Sequence, residues 1–255
     1  MRKVLAIALN TFRETVRDKI LYTLLVFAFA MIGSAAVLVR ISVRAEARII
    51  QDLGLAAISI MGVLMAVFVG ITLVYKEVDR RTIFTIISKP VQRWQFILGK
   101  YLGLLLTLLI NVAAMTGGLL LLNRGLGDGW AWALLPAVWL IYAELALVTA
   151  LATFFSSFTT PVLSATFTLC LFLIGRLSGD LVYFLSQMPG AALRAAAVGL
   201  YYVLPNLRTF DVKGQAVLGQ VPDLRWMVGA TAYGCLYIIF TLAAAVLIFQ
   251  RRDFK

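Results

Sequence analysis

This chain contains no histidine and only two cysteines in 255 residues. Histidine is the commonest metal ligand and general base, so its absence removes the ordinary route to a metal centre or to acid–base catalysis. Cys170 and Cys235 both lie inside apolar runs, and no structural disulfide is expected of them. Charge is scarce as well. Asp, Glu, Lys and Arg together make up 14% of the chain, against 62% hydrophobic residues and a mean hydropathy of +0.95, which is too apolar for a soluble domain. A phosphate-binding loop is also missing. Gly99-Lys100 is followed by Tyr101 at the entrance to an apolar run, and Gly125, Gly127 and Gly129 form a turn between two such runs. The net charge of +11 would suggest nucleic acid in a soluble protein. No basic cluster is interleaved with aromatics here, so no nucleic-acid partner is expected.

What the chain does have is long uncharged runs. About 20 apolar helical residues cross a bilayer core, and six such spans are expected: Ile20–Val39, Leu53–Tyr75, Tyr101–Leu122, Ala131–Phe154, Pro161–Ser178 and Met227–Phe249. The expected fold is therefore an all-α membrane protein, a single unit over 1–255 with no separate soluble domain. The first run has no small-residue cleavage site after it and reads as an uncleaved span. Ahead of it, in residues 1–19, Leu5, Leu9, Phe12, Val16 and Ile20 recur at three- and four-residue steps. They line one face of an amphipathic helix expected to lie in the headgroup region. With both termini on the cytoplasmic side, the inner pieces hold fourteen Lys and Arg and the outer pieces nine, which favours that orientation. In the outer connection, residues 179–226, the apolar stretches Leu181–Leu185 and Ala191–Leu204 are broken by Pro189-Gly190 and Pro205-Asn206. They read as short helices in the outer leaflet.

The most ordered connection is the basic one between spans two and three, residues 76–100. Glu77, Asp79, Arg80 and Arg81 are followed by Thr82, Ile83, Phe84, Ile86 and Ile87, and Ser88-Lys89-Pro90 then breaks the helix. Trp94 and Phe96 follow at interface level. A solvated loop has no need of four large apolar residues in so short a stretch. The pattern reads as a short docking helix through which a protein outside the membrane moves the spans.

Two charges fall inside apolar runs. Glu144 is mid-span, where an ionised carboxylate costs several kcal/mol unless paired or hydrated. It is read either as a pathway or proton site or as a structural carboxylate held between helices. Arg176 near the outer end of span five is read as able to snorkel toward water. Ser164 and Thr168 share one face of span five and either touch cargo or hydrogen-bond back to their own helix. Gly62, Gly70, Gly175 and Ala165 are small enough to allow close approach between two copies.

The segment KEVDRRTIFTIISKPVQRWQFILGKYLG (76–103) resembles the first cytoplasmic loop of ABC-2 type permeases, the membrane subunits of bacterial ATP-driven exporters. The amphipathic start, YVLPNLRTFD (202–211) before the last span, and the terminal FQRRDFK agree with that resemblance. It is similar to permeases akin to the membrane subunit of the nitrous-oxide-reductase maturation transporter. The resemblance implies a type V exporter-like fold in the bacterial inner membrane, with a cytoplasmic coupling helix contacting the ATPase through Glu77, Asp79, Arg80, Arg81, Thr82, Ile83, Phe84, Ile86 and Ile87. It implies two permease chains, as homodimer or heterodimer, and two copies of an ABC ATPase that carry ATP and magnesium. It leaves the permease itself non-catalytic, with no cofactor. A pathway lined by spans one, two and five would pass Ser164, Thr168, Glu144 and Arg176, and its apolar character suits an amphipathic or lipid-like cargo. The rival readings are an ion-coupled carrier that uses Glu144 and a membrane assembly factor for a metalloenzyme.

Overall fold

A computed structural model of the chain describes residues 2–39, 46–79, 92–126, 129–179, 199 and 204–251. All regular structure among them is helical: α1 (Arg2–Val16), α2 (Lys19–Val39), α3 (Glu46–Asp79), α4 (Arg93–Leu126), α5 (Leu135–Ser156), α6 (Pro161–Arg176), α7 (Lys213–Val217) and α8 (Leu224–Arg251), with 3₁₀ turns at Trp132–Leu134 and Leu207–Phe210. The helix starts follow local chemistry. The Asp18 carboxylate accepts the Ile20 amide at 3.0 Å and the Asp223 carboxylate accepts the Arg225 amide at 3.3 Å, each capping the helix that follows. Pro136 and Pro161 stand in the first turns of α5 and α6, where a missing N–H costs nothing.

Among the described residues five stretches are long and apolar enough to cross a membrane: Lys19–Val39, Ala47–Ile71, Arg93–Leu126, Trp132–Ser156 and Leu224–Phe249. The remaining expected span, Pro161–Ser178, is the 16-residue helix α6. At 1.5 Å per residue it is about 24 Å long, shorter than the ~30 Å hydrocarbon core. Helices α3 and α4 extend well past the expected span ends, to 34 residues each, because helix continues beyond the apolar window into the interface. The expected coupling connection 76–100 is correspondingly shorter: 76–79 belong to α3 and 93–100 to α4. Residues 80–91 lie outside the described residues, as do Leu181–Leu185 and most of 191–204.

The core is the α3–α5 pair. In each, 72% of the apolar window is buried inside the chain, against 22% for α2 and 28% for α8, which present most of their surface outward. Glycines set the close approaches. A side chain on Gly62 would overlap Leu145 at 2.5 Å, and one on Gly70 would touch Ala152 at 3.4 Å, so both serve α3–α5 packing within the chain. A Cβ at Gly175 would lie 2.5 Å from the Pro205 carbonyl oxygen, and Ala165 packs against the main core. These small residues are thus occupied by intramolecular contacts, contrary to the expectation that they serve approach between copies.

Helix α1 packs along the start of α4. Its inward face is Val4, Ala8, Thr11 and Thr15, while Leu5 is 63% and Leu9 44% exposed. The protein-facing side is therefore the small-residue stripe, and the larger apolar stripe beside it remains free for lipid. The fit depends on Gly99 and Gly103. A Cβ at Gly103 would lie 2.6 Å from the Ala8 carbonyl oxygen, and one at Gly99 would lie 2.8 Å from the Ile7 side chain. The Gly-Lys pair that is useless as a phosphate loop is half of a helix-crossing motif. Gly103→Ala is expected to cost about 1–3 kcal/mol through this backbone clash. Gly117→Ala, with nothing within 4 Å of the new methyl, should be neutral or slightly stabilising. Thermal unfolding of the two variants in the same detergent checks the difference.

Candidate functional site

The end of the bundle formed by the start of α5, the end of α6 and the segment 204–217 holds a charge cluster built around the buried Glu144. Helix α6 runs back along α5, so that the Ser164 hydroxyl reaches the Ala152 carbonyl at 3.4 Å and Arg176 comes level with Glu144. Glu144 is 1% exposed. Arg176 Nη1 donates to its Oε1 at 2.5 Å, and Arg176 Nη2 donates to Asp211 Oδ2 at 2.9 Å. Lys213 Nζ stands 4.0 Å from Asp211 Oδ1. Two acids and two bases thus close into a neutral set. A planar guanidinium can hold two carboxylates at once, which a lysine ammonium does less well. Arg176 is therefore held by Glu144 on one side and by the more exposed Asp211 on the other, with only 21% of its side chain exposed, instead of extending freely to water as expected. Its burial is tolerable because both charges it meets are opposite in sign.

The cluster joins α5 and α6 to the chain that precedes α8. That chain is anchored by several further contacts. Leu207 and Phe210 are fully buried. The Asn206 amide donates to the Tyr233 hydroxyl at 2.8 Å, Ser178 Oγ meets Asn206 Oδ1 at 3.0 Å, and the Tyr237 hydroxyl reaches the Leu204 carbonyl at 3.4 Å. Phe210 lies against the Tyr233 ring with centroids 6.4 Å apart. Gly175 lets the Pro205 carbonyl approach α6 where any side chain would block it. Lys213 is held below the ordinary lysine value, first by burial and then by the Arg176 charge, with Asp211, Glu144 and Asp52 offsetting part of the shift. Since its folded value is the lower one, Lys213 reduces stability at low pH. That loss is relieved as pH rises from the folded value toward the ordinary one.

The sequence singled out Glu144 and Arg176, and the structure brings them together. Ser164 and Thr168 are both fully buried, and the Thr168 hydroxyl donates to the Ser164 carbonyl at 2.7 Å, the back-bonding alternative. Glu77 and Asp79 fall in the last turn of α3 with their side chains outside those described, and Arg80, Arg81, Thr82, Ile83, Phe84, Ile86 and Ile87 lie outside the described residues. Sequence reasoning missed Asp211 and Lys213. The signal available was the pairing of Asp211 and Lys213 just before the last span, in a chain with two intramembrane charges awaiting partners. At the other end, Arg93 Nη1 donates to the Phe249 carbonyl at 2.8 Å and the Phe96 and Phe249 rings stack at 6.2 Å, tying the start of α4 to the end of α8. Among the described residues no cluster of acidic and cysteine side chains could hold a metal.

Arg176→Gln strands Glu144 in the interior and is expected to cost about 3–5 kcal/mol. Glu144→Gln leaves Arg176 its bond to Asp211 and should cost distinctly less. The Glu144→Met/Arg176→Met double variant should recover much of the single-variant loss, because no buried charge is left alone. Denaturant unfolding of the four proteins in one detergent measures this order.

The family model described as ABC-2 family transporter protein matches residues 5–254. No curated protein matches the chain at a significant level. A match over nearly the whole length, on a bundle with five membrane-length apolar helices, establishes that the chain belongs to the ABC-2 transporter family and is a multi-pass membrane permease of an ABC transporter.

Proposed function

We propose that this permease works as a symmetric pair with two copies of a separate ABC ATPase, which carry ATP and magnesium, and moves an amphipathic or lipid-like substrate outward across the bacterial inner membrane. The observation that supports this reading best is the joint continuity of α3 and α4. Both run as unbroken helices to Asp79 and from Arg93, so a push on the short connection 80–91 acts on two long levers. One of these levers is the buried centre of the bundle, and the other is clamped to α8 through Arg93 and Phe96. In residues 82–87 four of six side chains are large and apolar or aromatic, as a docking surface requires. Both chain ends are cytoplasmic in this reading, as the Lys and Arg bias favours.

Pairing of two copies is supported by α2 and α6. Val26 and Val37 on α2, Val162 and Leu173 on α6, and Leu177 just after it, are each more than half exposed. A helix as short as α6 gains most from a protein neighbour. An apolar passage between copies, with the Thr168 hydroxyl turned back onto its own helix and the Ser164 hydroxyl onto α5, suits an amphiphile better than a small ion. Against the ion-coupled carrier stands the engagement of Glu144 by Arg176. A carboxylate held by a permanent cation is a poor proton carrier, so ATP, not Glu144, supplies the drive in this reading.

Phe84→Ala and Ile83→Ala are expected to lower transport about thirtyfold while ATP hydrolysis by the assembled complex continues, or else to loosen the complex; a hot-spot truncation of ~2 kcal/mol has that effect. Co-purification yield, ATPase rate and transport in vesicles separate these outcomes, and wild-type values in all three would contradict the docking assignment. On a chain with Cys170 and Cys235 replaced, Leu173→Cys should cross-link two permeases. Failure across several α6 positions, with a one-permease complex still active, would contradict the pair.

A further inference from the structure

A two-lobed apolar cleft opens at the end of the bundle where α1 begins. Trp94 and Leu98, one helical turn apart on α4, form its dividing ridge and line both lobes. The lobe toward α1 has a volume of about 480 Å³ and is completed by Arg2, Val4, Leu5 and Leu102. The lobe toward α8 has about 440 Å³ and is walled by Ile239, Leu242 and Val246. Each lies within the ~300–1,000 Å³ of ordinary ligand clefts.

We propose that this cleft is a binding site for one anionic diacyl phospholipid, with a chain in each lobe and the phosphate beside Arg2. The shape argues for two flexible chains. A partner helix would meet the Trp94–Leu98 ridge in the middle of its contact strip, whereas two acyl chains can part around it. The polarity argues for lipid. Among the described lining residues Arg2 supplies the charge, and the others are apolar apart from the Trp94 indole, whose N–H is already given to the Gln92 side chain. The sign of the charge selects the headgroup. Arg2 is exposed and has no ion-pair partner among the described residues, so an anionic phosphate gains an attraction that a zwitterionic headgroup largely cancels.

The depth agrees as well. Trp94 stands at the first turn of α4, where an indole sits at headgroup level, and both lobes extend from it toward the apolar interior. The position of Arg2 is itself set by the fold, because Gly99 and Gly103 clamp α1 to α4 within a few residues of it. The site does not depend on ATP-driven transport, and its test uses the permease alone.

The test places the purified permease in phosphatidylcholine nanodiscs containing a small fraction of chain-brominated lipid. Trp130, Trp132, Trp139 and Trp226 are replaced by Phe, so that Trp94 is the reporter. Brominated phosphatidylglycerol is expected to quench Trp94 at several-fold lower mole fraction than brominated phosphatidylcholine, and Arg2→Gln should reduce that preference by about fivefold, the worth of one basic side chain near an anionic headgroup. Equal quenching by the two lipids, or a preference unchanged in Arg2→Gln, overturns the proposal. Should the four-tryptophan variant fold poorly, native mass spectrometry of the unaltered chain and of Arg2→Gln replaces it. Retention of one phosphatidylglycerol that Arg2→Gln loses supports the site, and equal retention of both lipids by both proteins overturns it. Val246→Phe, which fills part of one lobe without adding a second tryptophan, should weaken diacyl phosphatidylglycerol several-fold and leave the single-chain lyso form unaffected. Equal effects on both forms overturn the two-chain arrangement.

Discussion

A bilayer core offers no water, so every polar group carried into it must find its partner within the protein. That constraint organises this bundle. The buried threonines answer it locally: Thr15, Thr107, Thr149, Thr153 and Thr168 each donate to the carbonyl four residues back, at 2.7 to 3.0 Å. Glu144 cannot be answered locally, because an ionised carboxylate needs an opposite charge and its own helix has none. Arg176 comes from the antiparallel neighbour, Asp211 from the segment before the last span, and Lys213 from the short helix after it. One intramembrane acid thereby dictates how three separate stretches of chain are placed.

The two ends of the bundle are held by different physics. At the Glu144 end, charge pairing and the buried Leu207 and Phe210 lock the segment 204–217 into the bundle. At the α1 end, close contact does the same job, through glycines at 99 and 103 and through the Arg93 clamp on the end of α8. Contact of this kind is short-ranged and sterically strict, so the α1 end behaves as a joined unit of α1, α4 and α8. In the proposed transporter, force arriving at the 80–91 connection enters that unit first. The Glu144 cluster, at the opposite end of the same long helices, would receive it last, which suits a closure that yields only when the helices tilt together.

The arrangement also explains where lipid meets protein. Helices α2 and α8 keep most of their apolar windows outward, and Trp130, Trp132, Trp139 and Trp226 are exposed toward the Glu144 end. Trp130 stacks on Trp132 and carries Arg124 over its face at 4.7 Å. Such aromatic and basic pairs are at home in an interface that is apolar on one side and wet on the other. Trp94 plays the corresponding part at the α1 end.

Much of this was legible in the residues alone. Hydropathy marks a span without reference to its neighbours, because a bilayer demands the same ~20 apolar residues of any helix. Five spans are therefore legible as helices, three close to their observed bounds and two, α3 and α4, shorter than observed, and the amphipathic start of the chain is legible as a helix. The family resemblance was legible for a similar reason, since its motif is a continuous segment. What the residues could not disclose was partnership. Leu5 and Leu9 form the stronger apolar stripe of α1, yet the weaker stripe of Val4, Ala8, Thr11 and Thr15 faces α4, because Gly99 and Gly103 leave room only for small side chains. Arg176 lies near a membrane edge and reads as free to reach water until α5 and Asp211 are seen on either side of it. Periodicity and hydropathy are properties of one helix, and the sequence determined them. Which helix faces which, and so which charges meet, depends on complementary shape between segments distant in the chain, 67 positions for Glu144 and Asp211 and 156 for Arg93 and Phe249, and only the tertiary structure decided it.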